Sequence, residues 1–249
     1  MNSLHNKVAL VTGSARGIGK AFAERFGSLG ANVVVNYVAN AQPAQDPVST
    51  IKRLGGSATS IQADISKVAD IDRLFAQTLE HYGHLDSVVA NAGLELVGKP
   101  VGDVTEEEFD RLFGVNTKGA YFTLARAARH VADHGRIIYV GSSSSSFPMP
   151  GYSLYSGSKM APQFFVEVLA KELGTRGVTV NSLLPTVTAG AGLSTDEVRP
   201  QARDFIRAFN PRQRVGTLAD VADAAEYLAS DLSDFVSGQH LLLTGGGPA

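Results

Sequence analysis

"KVALVTGSARGIGKAF", residues 7–22, sets a short apolar run before a turn with glycines at 13, 17 and 19, and follows the turn with an amphipathic stretch. An apolar run of this length reads as a strand buried on both faces, and the stretch after the turn as a helix from about Ile18 to Leu29. Glycine lets the backbone reverse sharply and approach a pyrophosphate closely. The first turn of the following helix adds unpaired N–H groups and the positive end of a dipole. A glycine-rich turn is a weak signal alone; its place between the first strand and a helix strengthens it.

Outward from this unit the rhythm repeats. Strand-like runs occur at 31–37 (ANVVVNY), 58–63 (ATSIQA), 85–91 (LDSVVAN), 136–142 (RIIYVGS), 178–185 (VTVNSLLP) and 239–245 (QHLLLTG). Helical patterns fall near 47–54, 67–82, 106–132, 153–175, 195–208 and 218–230. Short apolar strands separated by helical crossovers form a parallel sheet covered on both faces. The fold class is therefore α/β, a doubly wound, mostly seven-stranded parallel sheet in one domain spanning residues 1–249, without linker or repeat.

A chain of 249 residues, 44% hydrophobic, supports one sizeable core. Net charge −2, pI near 6.3 and no basic run give no footprint for nucleic acid or an anionic membrane. No stretch approaches the ~18 apolar residues of a spanning helix, and "MNSLHNK" has no signal-peptide core, so the expected location is cytoplasmic. Without cysteine there are no thiolate nucleophiles or disulfides. His130 and His134 have helical i, i+4 spacing, but "ARHVADHG" reads better as a helix end stopped by Gly135, so no metal is expected.

Three motifs carry a family resemblance: T-G-x-x-x-G-x-G at Thr12–Gly19, N-A-G at Asn91–Gly93 and Y-x-x-x-K at Tyr155–Lys159. With a serine thirteen residues before the tyrosine (Ser142) and an asparagine in "FGVNTKG" (Asn116), the chain resembles the short-chain dehydrogenase/reductase family along its whole length. It is similar to members of the 3-oxoacyl-reductase and glucose/ribitol-dehydrogenase kinds. The resemblance implies a Rossmann-type fold, a nicotinamide cofactor and a homotetramer. It also implies that Asn91, Ala92 and Gly93 lie beside the ribose and that Asp64, with Ile65, meets the adenine, although Asp64 reads equally as a helix N-cap.

Cofactor preference is argued from charge. A carboxylate about 20 residues beyond the glycines would bind the ribose 2′-OH of NAD and repel the 2′-phosphate of NADP. No Asp or Glu occurs between Glu24 and Asp46. Arg16 inside the turn suits a 2′-phosphate, helped by Ser14 and Asn36, so NADP is favoured and NAD is the alternative. Gly13, Gly17, Ile18 and Gly19 complete the cofactor turn.

"GSSSSSFPMPGYSLYSGSK", residues 141–159, holds the reacting groups. "PMPG" delays the helix until about Tyr152, which makes Tyr155 and Lys159 i, i+4 neighbours on one face. A cation about 4 Å from the phenol is worth roughly 4 kcal/mol at an effective dielectric of about 20, enough to acidify it substantially. Ser142 stands at the strand mouth and suits an oxyanion donor; Ser144, Met149 and Tyr152 are pocket candidates. The resemblance adds Lys159 on the ribose hydroxyls and a water at Asn116 that returns the proton.

Pro185-Thr186 replaces the family's P-G, so the backbone there should differ; Thr188, or else Thr186, is the candidate for the nicotinamide carboxamide. Residues 186–213 are expected to form a substrate lid, with Leu193, Phe205 and Phe209 among its apolar members. The activity expected is NADP-dependent reduction of a ketone or similar carbonyl. The alternatives are an NAD-linked alcohol or sugar dehydrogenase, an enoyl reductase acting through Tyr152, and a non-catalytic NADP-binding redox sensor.

Overall fold

In the computed structural model, which describes residues 3–192 and 210–247, seven strands form one sheet. They are β1 (Val8–Val11), β2 (Asn32–Tyr37), β3 (Ser57–Gln62), β4 (Ser87–Ala90), β5 (Arg136–Val140), β6 (Thr179–Pro185) and β7 (His240–Leu243). Their order is β3-β2-β1-β4-β5-β6-β7 and every pairing is parallel. The winding direction switches between β1 and β4, so the carboxyl ends of these strands flank the crevice in which doubly wound sheets bind ligands.

The helices among the described residues are α1 (Gly17–Ser28), α2 (Ala41–Arg53), α3 (Val68–Tyr82), α4 (Glu106–Phe113), α5 (Ala120–His130), α6 (Ser153–Glu172) and α7 (Leu218–Ala229). Alternate strand residues feed two separate cores. Ala9, Val11, Val33, Val35, Ile138 and Val140 pack with Phe22 and Phe26 of α1, Ile51 of α2 and Leu228 of α7. Val8, Leu10, Val34, Ile137 and Tyr139 pack on the other side with Leu74 and Phe75 of α3, Leu124 of α5 and Val166 of α6. Side chains alternate across a strand, and here both faces are apolar, which is why the strands read as unbroken hydrophobic runs. Truncating Phe22 or Phe26, both fully buried, would cost about 3–5 kcal/mol.

Two expected elements differ. α2 begins at Ala41 rather than near 47 because the Asn40 side chain caps it by accepting from the Gln42 N–H, and Pro43 sits in the first turn, where its missing N–H costs nothing. Pro47 is accommodated inside the helix. The stretch expected as one helix over 106–132 is broken: α4 ends at Phe113, a π turn spans Gly114–Gly119, and α5 follows. Gly119 fixes the turn against its neighbour, since a Cβ there would lie 2.6 Å from Ile65 Cδ1.

α5 ends at His130, so His134 is not on the helix. No group of His, Cys, Asp and Glu among the described residues is placed to hold a metal. No described helix is long and apolar enough to cross a membrane. The helix expected near 195–208, with Leu193, Phe205 and Phe209, lies outside the described residues.

Candidate active site

The glycine turn is held from three strands. Thr12 Oγ1 accepts from the N–H groups of Asn91 (3.0 Å) and Ala92 (3.1 Å), and Asn91 Nδ2 donates to the carbonyls of Thr12 (2.9 Å) and Gly13 (3.2 Å). Gly13 has φ +62° and approaches Ala92 so closely that a Cβ would lie 2.9 Å from it; Gly17 has φ +56°. Both positions therefore demand glycine. Arg16 is the N-cap of α1, its side chain does not cap the helix, and no acid occupies the first turn, so the N–H groups of Gly17, Ile18 and Gly19 keep their positive end for an anion. The Arg16 side chain is exposed and has no hydrogen bond or ion pair among the described residues. These features fit a dinucleotide pyrophosphate and a further phosphate.

Ser14 and Asn36 require correction as phosphate contacts. Both are fully buried. Ser14 Oγ donates to the Val11 carbonyl (2.7 Å) and accepts from the Asn36 N–H (3.1 Å). Asn36 Oδ1 accepts from the Gly13 N–H (3.0 Å), while Nδ2 donates to the carbonyls of Ala63 (3.0 Å) and Ile61 (3.3 Å). The two side chains therefore shape the turn from behind. The Ile65 side chain is in the core, 3% exposed, which leaves its backbone to face any ligand. Asp64 is not the cap of α3, which is Lys67; its Oδ1 accepts from the N–H (3.0 Å) and hydroxyl (2.7 Å) of Ser66.

The reacting groups converge at the carboxyl ends of β4 and β5. Tyr155 lies in the first turn of α6 with its phenol close to the side chain of Ser142, two residues beyond β5. Lys159 follows one turn later, 4% exposed, with Nζ donating to the Val140 carbonyl (3.1 Å) and standing 5.7 Å from the centre of the Tyr139 ring. Tyr139 Oη in turn donates to the Lys159 carbonyl (3.2 Å). The serine run resolves into separate jobs. Ser142, Ser144 and Ser156 form a hydroxyl chain (2.9 and 3.1 Å), whereas Ser145 is drawn to Gln163.

Asn116, inside the π turn and fully buried, clamps Leu94: Oδ1 accepts from its N–H (2.8 Å) and Nδ2 donates to its carbonyl (2.9 Å) and to Ser158 Oγ (2.9 Å). The asparagine thereby ties the loop after β4 to α6. A Cβ on Gly93 would stand 2.9 Å from Lys159 Nζ and 3.3 Å from Asn116 Oδ1, so glycine keeps this space open.

Electrostatics differ from the sequence-based expectation. Burial pushes the Tyr155 phenol up to about 12, with Glu95 raising it further and the nearby Ser142 hydroxyl opposing. Burial pulls the Lys159 ammonium down to about 8, against an opposing pull from Glu95. In the protein by itself, desolvation of the pair outweighs any acidification by the lysine. Glu95 escaped the sequence reading; the signal was a charged residue two positions beyond N-A-G, at the ligand edge. Thr12, Leu94 and Ser158 were also missed as positioning groups.

Tyr152 is the N-cap of α6, before the helical face that carries Tyr155 and Lys159. Met149 is half-buried and its carbonyl accepts from the Tyr152 N–H (3.2 Å). Thr186 does not adopt a positive φ; Gly190 (+82°) and Gly192 (+60°) supply those conformations instead. The hydroxyl of Thr188 donates to the Thr186 carbonyl (2.9 Å), and the segment is pinned by a bridge from Thr188 to Gly216. Pro185 closes β6 in the buried sheet, with Thr186 N donating to Leu243 O (3.3 Å).

A family model described as enoyl-(acyl carrier protein) reductase matches residues 13–247. The hydroxynaphthalene reductase-like protein Arp2 of Metarhizium brunneum is 40% identical over 98% of this chain and 96% of its own length. A short chain dehydrogenase from Burkholderia cenocepacia, solved in complex with NADP, is 34% identical with a TM-score of 0.92 over 98% of both chains. The chain belongs to the short-chain dehydrogenase/reductase family. As such it is an NAD(P)-dependent dehydrogenase/reductase. Another similar family member, landomycin C-6 ketoreductase LanV, solved with NADP and rabelomycin, is 34% identical with a TM-score of 0.88 over 98% of this chain and 97% of that one.

Proposed function

We propose that this dehydrogenase/reductase reduces the carbonyl of a cyclic or aromatic ketone to an alcohol with NADPH, with Tyr155 as the proton donor. The observation that carries the reading is the Tyr155 phenol set close to the Ser142 side chain, with Lys159 buried one turn along. Bound NADPH supplies the hydride. Ser142 and Tyr155 then present two O–H groups to one point, where the substrate oxygen gains negative charge. Tyr155 is held protonated by burial, the state a general acid needs. Lys159, largely protonated at neutral pH, stabilises the phenolate left after transfer and reaches the ribose hydroxyls. Asn116 holds the Leu94 loop and α6 in register; the proton-returning water belongs at this turn.

Gly13, Arg16, Gly17, Ile18 and Gly19 would hold the cofactor's phosphates, and Asn91, Ala92 and Gly93 would lie along its ribose. Asp64 serves the adenine, and Pro185, Thr186 and Thr188 serve the nicotinamide. Thr188 keeps acceptor lone pairs for a carboxamide N–H, because its own hydroxyl hydrogen is spent on Thr186. Arg16 supports NADPH over NADH, as do the NADP-bound relatives. The ketone class is supported by LanV and by the hydroxynaphthalene reductase-like relatives. Ser144, Met149 and Tyr152 line the substrate side; most of the expected lid over 186–213 lies outside the described residues.

An enoyl reductase would need Tyr152 beside Lys159 on one helical face, and the position of Tyr152 at the cap opposes it. A homotetramer and a cytoplasmic setting complete the proposal; Tyr121, Met160, Phe164 and Val168 expose apolar surface on α5 and α6, with 160, 164 and 168 at helical spacing. The test is NADPH and NADH consumption against a panel of ketones and enoyl thioesters. Binding without turnover of any ketone refutes the reductase, and a preference for NADH refutes the role of Arg16.

A further inference from the structure

Glu95 is a charged group at the reacting centre that the proton transfer does not require. It lies in the loop after β4, two residues beyond Gly93. Its carboxylate rests against Gly192, where a Cβ would stand 2.5 Å from Oε2, and Gly192 has φ +60°. The left-handed backbone at position 192 disfavours a side chain there, and the space beside it goes to the carboxylate. From there the charge acts on Tyr152, Tyr155 and Lys159, all carried by the start of α6. Among the described residues, the charged and titratable groups around the reacting phenol are thus Glu95, Tyr152, Lys159 and Tyr139.

Resting on the ketone-reductase reading above, we infer that Glu95 is a specificity-determining residue: its carboxylate accepts a hydrogen bond from a substrate hydroxyl and rejects substrates that bring a negative charge to the same place. A carboxylate is acceptor-only, with about four lone-pair sites, so it can serve an incoming O–H while keeping the interaction it already makes within the protein. Glu95 is exposed, and an anion brought beside it meets like charge at the edge of the buried reacting centre. The favoured substrates are neutral hydroxylated ring ketones, and the disfavoured ones are keto acids and ketones carried on phosphorylated groups. The same negative charge raises both the phenol and the ammonium, helping to keep their protons in place.

The experiment compares 1-tetralone, its singly ring-hydroxylated isomers and a ring-carboxylated derivative. Dissociation constants are measured with the NADP complex and kcat/KM with NADPH, for wild type, Glu95→Gln and Glu95→Asp. A hydrogen bond to a charged group is worth about ten- to hundred-fold. Wild type should therefore prefer the best hydroxylated isomer over the parent by about that factor, and the carboxylated one should fall below the parent. In Glu95→Gln both ratios should collapse toward one, the first through KM more than kcat. Glu95→Asp should retain the discrimination against carboxylate. The same ranking in wild type and Glu95→Gln, or an equal fall for every ligand, overturns the role of Glu95. Discriminating binding without turnover would instead overturn the reductase reading and leave that role intact.

Discussion

Lys159→Met should make the protein more stable near neutral pH while destroying its activity. The ammonium titrates at about 8 against 10.5 for a free lysine, with burial as the main cause. Because the folded value is the lower one, the unfolded chain binds more protons between pH 8 and 10.5, and stability rises with pH through that window. Below it the penalty is constant at about 3 kcal/mol; by about pH 9.5 it has roughly halved. Methionine removes the penalty and forfeits the Nζ bond to Val140, worth about 1 kcal/mol. The net gain is about 2 kcal/mol at about pH 7, closing nearly to zero at about pH 9.5. Urea unfolding of both proteins without cofactor at these two pH values measures it. A stability difference independent of pH, or a wild type more stable near neutrality, refutes the view that Lys159 is held charged at a cost.

Tyr155→Phe should lower kcat by about 10²–10⁴ while NADPH still binds, whereas Tyr152→Phe keeps measurable turnover; steady-state kinetics and cofactor fluorescence separate these outcomes. Arg16→Ala should raise KM for NADPH about ten- to hundred-fold and leave KM for NADH nearly unchanged. Asn116→Ala leaves the buried backbone groups of Leu94 without their side-chain partner and should cost about 2–4 kcal/mol in denaturant unfolding, with kcat falling as the loop loses its clamp on α6.

What the sequence disclosed follows from the physics of each element. Strands buried on both faces leave uninterrupted apolar runs such as Val33–Val35, so their order along the chain was readable. Gly13 and Gly17 announce a turn only glycine can make, and the Tyr155–Lys159 spacing holds because both residues lie inside a regular helix. The π turn at Gly114–Gly119 has no such signature, since its packing against Ile65 comes from far along the chain. The inward turn of Asn36 was invisible for the same reason, because its partners lie after β1 and after β3. Glu95 stayed hidden because the groups it acts on lie about sixty residues later in the chain.

The buried amide at position 36 bears on redesign. Installing an acid at the end of the second strand is the obvious route to NADH dependence, since it would repel a 2′-phosphate. Here an aspartate could still accept from the Gly13 N–H, but its second oxygen would face the Ile61 and Ala63 carbonyls, replacing two donated bonds by lone-pair repulsion. Cofactor choice and the latch between neighbouring strands share one side chain, so an exchange of preference must be engineered from Arg16 outward, in solvent, where the scaffold is indifferent to the change.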